Sequence, residues 1–253
     1  LLSWPGSSEP LLTTSSVSLV HVVGEYSARR ATSKPPDEVR VLLASQQAPG
    51  NTPLPALAGA AAEADLIRSA LADRTIKVTQ DAHATRASML GALTPAGGWI
   101  HVAAHGSAEP QRIGFAGVWL ETAAGANTPA FLSWLDVLDR GVGADLVVLD
   151  ACQSADAAAA APGNLSFADA VSRAGANHVV AALWPVSDSA AALWVPAFYQ
   201  ALTADPGHDA AQALRAAQQR LRSSRAFTHP FYWAGLQAIE RLDVAAPVPA
   251  ASH

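Results

Sequence analysis

Short β-branched and apolar runs alternate with segments of helical spacing along most of this chain of 253 residues. VSLVHVV (17–23), VRVLLA (39–44), GWIHVAA (98–104), ADLVVLDAC (144–152) and ANHVVAALW (176–184) are each nearly continuous apolar stretches. Strands buried on both faces have that character. TIKV (75–78) and YWAGLQAI (232–239) read as two more strands. Between these runs, residues 57–72 place Leu57, Ala61, Ala64, Leu66, Ile67 and Leu71 at helical spacing. Residues 84–93, 130–139, 165–173, 189–202 and 208–223 also read as helices. Thr128-Pro129 or Ser133 marks one helix start, Gly175 stops the helix over 165–173, and Pro185 ends the strand over 176–184. Strand, helix, strand, helix in this order means crossover units. The expected class is therefore α/β, with a mostly parallel sheet covered by helices on both faces.

Composition narrows the partners. Half of the residues are hydrophobic, only 15% are charged, and mean hydropathy is +0.18, which excludes a disordered chain. A net charge of -5 gives no electrostatic footprint for nucleic acid or an anionic membrane. No apolar run reaches the roughly 18 residues needed to span a bilayer. The lone cysteine, Cys152, excludes an internal disulfide framework and a four-cysteine zinc site, and makes a reducing, cytoplasmic setting the default. Residues 1–16 read as an arm or linker, 17–243 as one domain, and 244–253 as a loose tail. A first residue of Leu1 and not Met reads as a fragment or a processed product.

Two of the predicted strands end in reactive side chains. His105 follows GWIHVAA and Cys152 follows DLVVLDA. In an open parallel sheet, active sites lie just beyond the carboxyl ends of the strands. If these strands are neighbours, an imidazole comes within reach of a thiol, and a thiol needs such a base to become a nucleophile at neutral pH. Gly106 would allow close approach of a substrate carbonyl and offer an N–H to an oxyanion. The competing reading makes Cys152 a small buried hydrophobe and His105 a satisfied strand-end histidine.

Other patterns fail on their own terms. His101 and His105 are four apart, but on a strand that spacing is about 13 Å, too far for one metal. GVGAD (141–145) precedes a strand and lacks the third glycine of a dinucleotide site. No G-x-S-x-G or P-loop occurs. Arg215, Arg220, Arg222 and Arg225 read as a solvated helix face.

HVAAHG (101–106) and LVVLDAC (146–152) resemble the His-Gly and Ala-Cys motifs of CHAT domains, a group within the caspase-like (clan CD) cysteine peptidases related to separase and metacaspases. LPALAGAAAEADLI (54–67) resembles the family's Glu-containing helix. Ala84-Thr85 with the following helix, FADAVSRAGANHVVAALWPVSD (167–188), AFYQAL (197–202), ALRAAQQRLR (213–222) and HPFYWAGLQ (229–237) match further segments in order. The resemblance covers about 39–240 and implies a caspase-like three-layer α/β/α sandwich. It implies that Cys152 attacks a scissile carbonyl, that His105 acts as base and then acid, and that the N–H groups of Gly106 and Cys152 hold the oxyanion. No metal or other cofactor is implied.

The chain departs from the family pattern around the cysteine. Asp150 stands where the family usually has Ser, and Gln153-Ser154-Ala155 where it usually has Glu-Thr-Gly. By resemblance to metacaspases and separase, Asp150 and Asp188 (in LWPVSD, 183–188) line a pocket for a basic side chain, and Trp184 lines the peptide groove. The expected substrate is a polypeptide cleaved after Arg or Lys. The alternatives are a helix cap for Asp188, a His105 partner or solvated carboxylate for Asp150, and a core position for Trp184. At the level of the whole chain, the alternatives to a peptidase are a silent CHAT scaffold and a domain unlocked by a regulatory partner or an upstream helical-repeat region.

Overall fold

The computed structural model describes residues 18–20, 36–44, 57, 59–108, 115–123, 130–152, 154–155 and 165–241. The expected arm (1–16), the Pro/Gly stretch at 48–55, the Ala-rich segment 156–163 and the tail (244–253) lie outside the described residues, as do Val22 and Val23 of the first predicted strand.

The strands are β1 (Ser18–Val20), β2 (Glu38–Ala44), β3 (Lys77–Asp81), β4 (Trp99–Ala108), β5 (Ala116–Leu120), β6 (Ala130–Ser133), β7 (Leu146–Asp150), β8 (His178–Ala182) and β9 (Leu236–Glu240). The helices are α1 (Ala60–Ala70), α2 (Arg86–Leu93), α3 (Trp134–Arg140), α4 (Phe167–Ala174), α5 (Asp188–Ala204) and α6 (Ala210–Ser223). The sheet runs β1-β9-β8-β7-β4-β2-β3. It is parallel except that β9 runs against β8, and a β5–β6 hairpin continues antiparallel from the far end of β4.

Alternation along the strands divides the core in two. Val39, Val41, Trp99, Ala103, Leu146 and Val148 face α1, α5 and α6. Leu42, Ile100, Val102, Val147 and Leu149 face α2, α3 and α4. The result is a three-layer α/β/α sandwich with a mostly parallel sheet, as expected.

Three helices start on reciprocal caps. The side chains of Thr85, Ser133 and Ser166 each accept the N–H three residues on, and Ser88, Asp136 and Asp169 reach back to the capping backbone. Gly175 closes α4 at φ 137°, a conformation that favours glycine.

Three local expectations are corrected. The strand before His105-Gly106 does not stop there: β4 runs on to Ala108, because β5 supplies ladder partners to its last four residues. The helix expected over 130–139 begins four residues later, since Ala130–Ser133 pairs with β5 as β6 and Ser133 then caps α3. The third strand lies at Lys77–Asp81 and not at 75–78, in register with β2.

Candidate active site

Neighbouring strands bring the two reactive residues to one rim. β4 and β7 pair in parallel with Ala103 opposite Asp150, and each chain has two further residues to go before His105 and Cys152. Both residues are partly exposed. The backbones are in contact: a Cβ on Gly106 would lie 1.9 Å from the carbonyl oxygen of Cys152 and 3.2 Å from its nitrogen. Only glycine fits at 106 without moving the turn that carries the sulfur.

That turn is held from below. The Ser154 hydroxyl accepts the Ala182 N–H at 3.2 Å, and the Ala155 N–H donates to the Ala182 carbonyl at 3.0 Å. Ser154 is buried, and it stands where the family pattern usually has Thr, so the hydroxyl is retained. Burial pushes the Cys152 thiol above its ordinary range, and the Asp150 and Asp188 carboxylates push it the same way. Its own backbone N–H, directed at the sulfur, acts in the opposite direction. At rest the sulfur is a thiol.

One step down the same face lies a polar cluster that joins Asp150 and His101 to two residues the sequence reading did not name, Glu63 and Tyr199. His101, wholly buried, places Nε2 2.6 Å from Glu63 Oε2 on α1 and Nδ1 3.2 Å from the Tyr199 hydroxyl on α5. Glu63 in turn hydrogen-bonds the Asp150 carboxyl. Burial is the first cause of every shift in this cluster. It raises Glu63 to about 7, with the Asp188 charge adding to the rise, and it raises Asp150 well above the carboxylate range. The same burial lowers His101 to about 4 and raises the Tyr199 phenol. Among the described residues, no group of His, Cys, Asp and Glu is arranged to hold a metal ion.

Asp188 is exposed at the first position of α5, whose cap is Ser187 and not Asp188. Its carboxylate instead accepts the Gly59 N–H at 3.1 Å, and so finishes the start of α1, which has no side-chain cap of its own. A Cβ on Gly59 would come within 2.7 Å of the Asp188 side chain.

Trp184, just past the end of β8, is partly exposed and not a core residue. Its Nε1 donates to the Phe231 carbonyl at 2.8 Å, and its ring stacks on that of Phe231, which is 47% exposed. On the other side of the rim, Trp119 lies opposite His105 across the β4–β5 ladder. Phe131 packs against it with ring centroids 4.6 Å apart. The Trp119 and Phe131 pair had no signal in the sequence beyond two aromatics in short amphipathic runs.

The family model of the CHAT domain matches residues 2–241. The chain is also similar to tetratricopeptide repeat protein 28 of Mus musculus, 39% identical over 108 residues, which is 43% of this chain and 4% of that protein. The Homo sapiens protein of the same name is 38% identical over 108 residues. The chain thus spans about 4% of the length of these curated relatives. Among solved structures it is similar to the Arg specific cysteine proteinase gingipain R, with a TM-score of 0.49 and 12% identity over 81% of this chain and 46% of that one. The complex of Porphyromonas gingivalis RgpB pro- and mature domains is similar with a TM-score of 0.48 and 12% identity, over 80% of this chain and 46% of that chain. With its match running over nearly all of the sequence, the chain belongs to the CHAT domain family.

Proposed function

We propose that this chain is a cysteine endopeptidase that cleaves after arginine or lysine. The observation that carries the reading is the meeting of His105-Gly106, on β4, with Cys152, just past the end of neighbouring β7, with the two backbones in contact. His105 takes the proton from the Cys152 sulfur as the sulfur attacks the scissile carbonyl. The N–H groups of Gly106 and Cys152 receive the oxyanion. The amide C–N bond then breaks, and His105 gives its proton to the leaving amine. Water, deprotonated by His105, hydrolyses the thioester and restores the thiol.

Asp150, partly exposed at the rim, and exposed Asp188 are the acidic groups offered to a basic side chain, and Trp184 with Phe231 forms a wall for the peptide. No base other than His105 is invoked, and a reducing compartment suits the single thiol.

The test is a panel of fluorogenic peptides with Arg, Lys, Asp or Leu before the cleavable bond, run with the wild-type chain and with Cys152→Ala. Hydrolysis after Arg and Lys that vanishes in Cys152→Ala is expected. Hydrolysis after Asp in preference to Arg overturns the pocket assignment.

A second reading has its own observation. The Cys152 thiol is held above its ordinary range, which suits a domain that is quiet until something changes around it. We propose a repeat region, of the kind for which the matched relatives are named, as the partner that would do so. No turnover by the isolated chain, with turnover on adding a repeat region of that kind, would favour this reading.

A further inference from the structure

The β5–β6 hairpin has two unlike faces. One belongs to the core, where Val118, Leu120 and Leu132 are buried. The other carries Phe115, Trp119 and Phe131, all partly exposed. A sheet face that meets water is usually polar, so three aromatic rings there mark a binding surface. The rings form one platform. Phe115 and Phe131 stack with centroids 4.6 Å apart and planes 15° from parallel. Trp119 lies 4.6 Å from Phe131 and 6.0 Å from Phe115. Gly117 makes room for the platform: a Cβ there would come within 2.9 Å of Phe131 Cζ and 2.0 Å of the Leu132 carbonyl oxygen. Arg86 pins the backbone beneath it. Its Nη1 donates to the Phe131 carbonyl at 3.3 Å, and both Nη groups donate to the Asp136 carboxylate at 2.7 Å.

The platform has a fixed place in the rim. Trp119 stands directly opposite His105, so the two side chains leave the same face with their Cβ atoms about 5 Å apart. β5 lies on the β2 side of β4. The Glu121 N–H, just after β5, donates to the Ala84 carbonyl, and the Ala84 N–H donates to the Leu43 carbonyl of β2, each at 2.9 Å. β7, with Cys152 beyond it, flanks β4 on the other side. The rim therefore runs from Trp184 past β8, through Cys152 past β7 and His105 on β4, to Trp119 on β5.

We propose that Phe115, Trp119 and Phe131 form a specificity-determining subsite for an aromatic or large aliphatic side chain within the first two residues after the scissile bond. This rests on the reading of His105 and Cys152 as a peptidase dyad. The side of the bond follows from the chemistry. The imidazole gives its proton to the leaving amine, so the chain carried by that amine departs past His105, away from the sulfur. The next strand in that direction is β5. The acyl part stays bonded to the sulfur, on the side of β8 and Trp184. An extended peptide advances about 3.3 Å per residue, so its first two residues after the bond span the gap from His105 to Trp119. The class of side chain follows from the surface. Three ring faces reward apolar contact, aromatic contact above all, and offer a carboxylate nothing in exchange for its water.

The test is a set of internally quenched peptides with Arg before the bond and Phe, Leu, Ala or Asp at the first or second position after it, the cleavage points being read by mass spectrometry. With the wild-type chain, kcat/KM for the better Phe peptide should exceed that of its Ala counterpart by about tenfold, with Asp lowest. Trp119→Ala should bring that ratio down to about two or less, while Trp119→Phe keeps most of it. A ring that served only the fold would not tie its loss to the substrate's side chain. If Trp119→Ala does not fold, Phe115→Ala, which lies outside the ladder, takes its place. Equal kcat/KM for Phe and Ala in the wild-type chain overturns the subsite and leaves the peptidase standing, and a ratio that survives the loss of the ring overturns it too. Cleavage of no peptide overturns the peptidase reading, and calorimetric binding of the same peptides to the Cys152→Ala chain then decides. A Phe preference that Trp119→Ala abolishes keeps the aromatic site, and no preference overturns it as well.

Discussion

The two faces of the sheet are packed by different means. Against α2, α3 and α4 the strands present Ile100, Val102, Val147 and Leu149, and all three helices carry capping boxes within their own first turns. That side is closed by local devices and hydrocarbon. Against α1 and α5 the same strands present His101 and Asp150 among their apolar neighbours, tied to Glu63 and Tyr199. The start of α1 is finished by Asp188, 129 residues away. Buried polar groups held by distant partners contribute little net stability compared with an apolar filling of the same space. The polar side is also the side on which His105 lies, two residues beyond Ala103 on β4. Both faces are filled with hydrocarbon, and only the second also carries a buried polar cluster under the rim.

The comparison breaks most plainly through hydrocarbon. Phe167→Ala on the apolar side should cost about 3–5 kcal/mol by urea denaturation, by the same amount at every pH between about 5 and 8. A change in slope with pH would show that the two faces are not separate.

The polar side should respond to pH instead. Glu63 is held at about 7 against an ordinary 4.5, so the folded chain keeps a proton that the unfolded chain has released; this contribution is lost as pH rises from 4.5 to 7. Asp150 has the same sign. His101, pushed from 6.5 to about 4, works the other way: below 6.5 the unfolded chain takes up a proton that the folded one refuses. Two carboxyls against one imidazole leave stability rising as pH falls from about 7 to 4.5. His101→Gln should steepen that rise and Glu63→Gln should flatten it, both read from denaturation midpoints across pH. Equal slopes in all three chains would dismiss the cluster as a proton store.

Smaller effects sharpen the picture. Ser133→Ala removes one cap on the apolar side and should cost about 1 kcal/mol with no effect on peptide hydrolysis. Asp188→Ala, which removes the acceptor of the Gly59 N–H at an exposed position, should cost up to about 1 kcal/mol. It should also lower kcat/KM after arginine several-fold, and an unchanged kcat/KM would remove Asp188 from the pocket.

Much of this arrangement was legible in the sequence, for a physical reason. β2, β4, β7 and β8 are buried on both faces, and only long apolar runs satisfy that environment, so each was visible from its own residues. His105 and Cys152 were visible because a parallel sheet puts reactive residues at carboxyl ends of strands. β5 and β6 were not. Ala116–Leu120 and Ala130–Ser133 are five and four residues long, and what makes them strands is the tail of β4. The Glu63–His101 bond was hidden for the same reason, since its partners are 38 residues apart and meet only when α1 packs on the sheet. A signal was there in retrospect. Glu63 shares its buried helix face with Ala60, Ala64 and Ile67, and His101 sits among wholly apolar strand neighbours. A lone polar residue on each of two buried surfaces asks for a partner.

The overrun of β4 sets where adjustment can happen at this rim. His105 does not hang from a strand end; it lies within the strand, with Trp119 opposite it in the β4–β5 ladder. Cys152 has left β7 and rides a tight bend anchored through Ser154 and Ala155. The imidazole is on a rail and the sulfur is on a hinge. If the proposed peptidase reading holds, a change in the spacing of His105 and Cys152 would come from the bend after Asp150, since His105 is fixed within the β4–β5 ladder.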